Sequence, residues 1–100
     1  SIMQKLEYKI KKGSKSETKS VELIDLSWGD WCKAQDLRLL MANPNGAMFT
    51  NAAKFVQLYL GKSDEEMEVW RDNISDEDDF FTEVILIAEK IGQAVNAKKK

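Results

Sequence analysis

Histidine is absent from this 100-residue chain, cysteine occurs once, at Cys32, and proline once, at Pro44. Without histidine there is no Ser-His-Asp or Cys-His nucleophile arrangement and none of the usual zinc sets. A single cysteine permits no disulfide within the chain. Lying between Trp31 and Lys33, Cys32 reads as a small apolar packing residue. Long apolar runs are missing too: nothing approaches the roughly 18 residues that span a bilayer, and the first residues lack the charged-then-apolar order of an export signal. The expectation is a soluble, intracellular protein with no catalytic residue, no cofactor and no metal.

What is present is ordinary globular material, 43% hydrophobic and 32% charged. One hundred residues fit a single domain, 1–100, able to bury about 60 to 65% of the surface its unfolded chain exposes. The net charge of -2 conceals a polarity. Residues 1–20 carry six lysines against Glu7 and Glu17, a balance of +4, whereas residues 63–100 carry eleven acids against Arg71 and four lysines, a balance of -6. Such polarity orients a partner or favours self-association.

Two periods divide the chain. Leu6, Tyr8 and Ile10 alternate with charged residues, the pattern of a half-buried strand. The polar stretch 12–20 then reads as a long hairpin connection, and residues 21–26 as a second strand. From Ser27, three residues before Asp30 in the manner of a capping box, the spacing becomes helical. One stripe runs Trp28, Trp31 or Cys32, Gln35, Leu39 and Ala42, and a second runs Trp31, Ala34, Leu37 and Met41, so this helix is expected at the centre of the core.

Asn43-Pro44-Asn45-Gly46 stops it. A second helix follows over 47–60, with Gly61 placed to close its last turn. Ser63-Asp64-Glu65-Glu66 caps a short third helix carrying Met67 and Trp70, and Ser75 with Asp78 repeats the device before a long final helix. There Phe80, Val84, Ile87, Ile91 and Val95 form one row and Phe81, Ile85 and Ala88 a flanking one. The plan is α+β and mostly helical: an N-terminal β-hairpin (1–26), three to four α-helices (27–96) and a basic tail (97–100).

The acids between Asp64 and Asp79 lack the alternating oxygens and central glycine of a calcium loop, and most sit in first turns where the helix dipole favours them. The lysines of the hairpin could meet phosphates, but a pI near 5.2 and an acidic C-terminal half oppose a polyanion, so nucleic acid is not the expected partner. Three tryptophans and a two-row final helix exceed what so small an interior holds, which implies an apolar surface that another polypeptide covers.

Read in order, the basic hairpin, Leu26-Ser27-Trp28-Gly29-Asp30-Trp31, Leu58-Tyr59-Leu60-Gly61-Lys62-Ser63-Asp64-Glu65-Glu66 and Trp70-Arg71-Asp72-Asn73-Ile74-Ser75-Asp76-Glu77-Asp78-Asp79-Phe80-Phe81 resemble the small tail assembly chaperones of tailed bacteriophages, over almost the whole chain. The resemblance implies a non-enzymatic protein of the host cell cytoplasm that shields the apolar helices of the tape measure protein, or binds other phage tail proteins, and that forms homo-oligomers. The aromatic faces around Trp28, Trp31, Tyr59 and Trp70, with the terminal helix through Phe81, Ile85 and Ala88, are the expected partner-binding surface. A structural virion component (a connector or baseplate subunit) is the alternative reading, and a small nucleic-acid-binding regulator a third.

Overall fold

The computed structural model describes residues 2–43 and 45–97. Among them the chain forms two antiparallel strands, β1 (Ile2–Lys12) and β2 (Lys15–Ile24), followed by four helices: α1 (Trp28–Met41), α2 (Met48–Leu60), α3 (Asp64–Asn73) and α4 (Glu77–Ala97). This is an α+β, mostly helical fold. Pro44 and the lysines 98–100, expected to be a helix stop and a basic tail, lie outside the described residues.

The hairpin is tighter than its composition suggests. Residues 15–20, polar and expected in a loop, are strand, and the connection shrinks to Gly13-Ser14 between the paired Lys12 and Lys15. Gly13 takes φ 65° while among the described residues no non-glycine residue adopts a positive φ, the pattern of a type II′ turn whose twist suits the flanking strands. Polarity does not preclude a strand when a neighbouring strand satisfies its backbone groups. The register sets Leu6 opposite Val21 and Tyr8 opposite Lys19, so the inward row carries a lysine beside a tyrosine.

The core lies under the hairpin and between α2 and α4. Leu6, Tyr8 and Leu23 descend from the sheet onto Ala52, Phe55, Val56 and Tyr59 of α2 and Val84, Ile87, Ala88 and Ile91 of α4. Fully burying a side chain such as Phe55 or Ile87 stabilises by about 1.5–3 kcal/mol. α2 is the hub, packed against α1, α4 and β2. The sequence-based expectation that α1 is central is corrected here: only Ala34 of α1 is buried. Because apolar residues occupy nearly all of its circumference, the pattern fixes a helix without fixing which face turns inward.

The helix ends follow from local chemistry. Ser27 accepts a hydrogen bond from the Asp30 N–H at 3.2 Å, opening α1. At the end of α2, Gly61 adopts φ 63°, its N–H reaches the Leu58 carbonyl at 3.1 Å and the next N–H reaches Gln57 at 3.2 Å, a Schellman closure. Ser63 and Glu66 bond reciprocally at 3.1 and 2.9 Å to cap α3, and the Ser63 N–H holds the Glu66 carboxyl below the usual range. For α4 the expected Ser75 cap is replaced by its neighbour: Asp76 accepts from the Asp78 N–H at 2.9 Å. Aspartate serves as an N-cap as well as serine does, so two adjacent candidates compete.

Candidate partner-binding surface

The seven residues favoured by sequence fall into four settings. Trp28 and Trp31 lie on the outward side of α1, 77% and 39% exposed, their rings stacked 5.6 Å apart at 14°. Toward the other end of the same helix Leu39 and Leu40 are also exposed, at 74% and 45%. Trp28 and Leu39, at i and i+11, point nearly the same way because three turns of helix nearly restore the starting direction, while Leu40 lies about a third of a turn further round. Cys32, half-buried and without a disulfide, lies between the two apolar ends.

Phe81, Ile85 and Ala88 come together on α4. Phe81 is half exposed and stacks on Phe49 of α2 at 5.0 Å. Next to this pair a groove of about 340 Å³ is lined by Met41, Met48, Ala52, Ile85 and Ala88, with Arg38 and Glu89 also at its walls. The small Ala52 and Ala88 make the floor low, while the two methionines supply flexible, polarisable sides. An apolar slot with a charge of each sign at its walls is the type of surface that receives one face of an amphipathic helix.

Trp70 sits apart from both. Its ring meets Phe80 edge-on, 5.3 Å away at 83°, and contributes to a cleft of about 610 Å³ between α3 and the hairpin. Tyr59 is removed from the expected surface altogether. At 3% exposure it belongs to the core, edge-on to Phe55 at 5.1 Å, and burial raises its phenol pKa. Its place in a stripe with Phe55 and Val56 is compatible with either side of the helix until the neighbours are known.

The inner end of the cleft holds a group that sequence reasoning missed. Glu83 is buried to 4% exposure on α4, and one carboxylate oxygen, Oε1, accepts from the Tyr8 hydroxyl at 2.7 Å and from Lys19 Nζ at 3.0 Å. Burial first, then this carboxylate, push the Tyr8 phenol far above its ordinary value near 10. The signal was a lone glutamate among Phe80, Val84 and Ile87 on the apolar side of the helix. Its partners become visible only with the strand register, which sets Tyr8 beside Lys19.

Among the described residues no group of three or more cysteine, aspartate or glutamate side chains is placed to hold a metal ion, and no helix is long and apolar enough to cross a membrane. The arrangement offers apolar packing area at the surface and a buried ionic clip at Glu83. No protein-family model, curated protein or solved structure matches the chain.

Proposed function

We propose that this protein is a non-enzymatic assembly chaperone that binds and shields apolar helices of another polypeptide. The sequence resemblance makes the tape measure protein of a tailed phage the partner, and the host cell cytoplasm the place. One observation carries the reading: Met48 and Phe81 each stand about half exposed, and Met48 lines a mostly apolar groove of about 340 Å³ with Ile85 and Ala88. Contiguous exposed apolar surface on a soluble domain is costly unless something covers it part of the time.

Co-expression with the tape measure protein of the same phage tests the proposal. The expected outcome is a soluble complex that Met48→Ser depletes without moving the thermal midpoint of the isolated chain. Equal recovery with wild-type and substituted chains would overturn it.

A second reading, a structural virion subunit, draws on the hairpin. Both of its strands, 11 and 10 residues long, have one edge without a strand neighbour, a template for pairing with adjacent subunits. Mass spectrometry of mature particles separates the two, since a chaperone leaves and a subunit stays.

A further inference from the structure

We infer that α3 is a lid, which detaches from the rest of the fold as a unit while the hairpin, α1, α2 and α4 stay packed. None of its ten residues is buried, and among the described residues Trp70 is its one apolar side chain packed against the core. The principal packings of the fold are β1 on β2, α1 on α2, α2 on α4, β2 on α2 and β1 on α4, and α3 takes part in none of them. Clefts run along both of its flanks. One, of about 610 Å³, is lined by Val69 and Trp70 together with Tyr8 and Val21 of the hairpin. The other, of about 310 Å³, is lined by Met67 and Arg71 together with Phe49 and Phe80.

One latch and two joints hold the helix in place. The latch is the Trp70 ring, edge-on to Phe80 at 5.3 Å. A further tie, from Gln57 Nε2 to Asp64 Oδ1 at 2.8 Å, is exposed and sits at the first residue of α3, beside the first joint. That joint is Gly61, at φ 63°, and the second is Ile74, whose φ of -98° and ψ of 122° break the chain before α4. A few such positions between elements can absorb the dihedral changes of a hinge. The Ser63–Glu66 capping box lies inside the moving segment, so the N-terminus of α3 stays satisfied in either position. A segment with few buried apolar contacts belongs to the low-stability end of a fold and opens far more often than the core.

Opening changes what the molecule presents. Withdrawal of Trp70 uncovers Phe80, which shares the smaller cleft with Phe49, and Phe49 in turn stacks on Phe81. The apolar surface that includes Phe81 is thereby lengthened toward the start of α4. That a partner helix uses the longer track rests on the chaperone reading above, whereas the opening itself does not.

Native-state hydrogen exchange of the full isolated chain at increasing urea tests the inference. Amides 68–73 should show protection factors at least tenfold lower than those of Phe55, Val56, Ile87 and Ile91. Their exchange should also accelerate with urea, less steeply than that of the core, because detachment exposes surface whereas fraying exposes almost none. Ile91→Val should lower core protection severalfold and leave α3 unchanged, since the open and closed forms share the packed core. Trp70→Ala should lower α3 protection about tenfold or more. Amides of α3 that match the core in protection and urea slope, exchange without urea dependence, fall in step with the core in Ile91→Val, or ignore Trp70→Ala overturn it.

Discussion

Glu83 stabilises by holding two donors from the hairpin, so its loss matters more than the loss of either donor. Glu83→Leu leaves the Tyr8 hydroxyl without its acceptor and Lys19 to turn toward solvent, and urea unfolding should register a loss of about 2 kcal/mol. Tyr8→Phe retains the Lys19–Glu83 pair and should cost about 1 kcal/mol. Tyr8 also sets a pH dependence. Its folded pKa is raised, so the neutral phenol is favoured in the native state and its contribution is complete below the unfolded value near 10. As pH climbs beyond that value the unfolded chain ionises first and stability falls. Urea midpoints measured from pH 8 to 11 should decline for the wild type and less steeply for Tyr8→Phe, the residual decline including the share of buried Tyr59.

The junction between α2 and α3 depends on two capping residues whose effects separate cleanly. Gly61→Ala must place a Cβ at φ 63° and 2.7 Å from Ile24 Cδ1, and thermal unfolding should show a loss of about 2 kcal/mol. An Ile24→Val background removes that methyl and should recover part of the loss, leaving the backbone share. Ser63→Ala deletes the side-chain acceptor of α3 and should cost about 1 kcal/mol, read as faster hydrogen exchange at the Glu66 amide. Both caps were legible from residue type and spacing alone, because capping is a local matter. The cap of α4 was misplaced by one residue, since Ser75 and Asp76 offer equivalent acceptors. The second strand was shortened for a different reason. Residues 15–20 have no apolar alternation, and what makes them strand is the backbone pairing supplied by β1 across a two-residue turn. The Gly13-Ser14 dipeptide was the available cue.

For the molecule as a whole, periodicity found the helices and left their orientation open. Trp28 and Tyr59 were equivalent on paper, yet one stands in solvent and the other in the core, because α2 is enclosed by α1, α4 and β2 while α1 packs mainly on α2. The expected surface was thus legible in part: Ile85 and Ala88 line one groove and Phe81 stands half exposed one turn before Ile85 on the same helix, whereas Trp70 belongs to a separate cleft beside α3. A matched pair of substitutions exploits the contrast. Tyr59→Ala should lower stability by about 3 kcal/mol or more through the cavity it opens, whereas Trp28→Ala should change it by less than about 0.5 kcal/mol, both read from chemical denaturation. The clip at Glu83 has a last consequence for synthesis. Tyr8 and Glu83 are 75 residues apart, and the sheet rests on α2 and α4. Ribosomes add roughly 5–20 residues each second, so the hairpin emerges several seconds before its carboxylate and must wait as a marginal ribbon with Leu6 and Leu23 uncovered. A nascent chain halted upstream of residue 83 should therefore remain sensitive to protease, and protection should appear only after the last helix has cleared the exit tunnel.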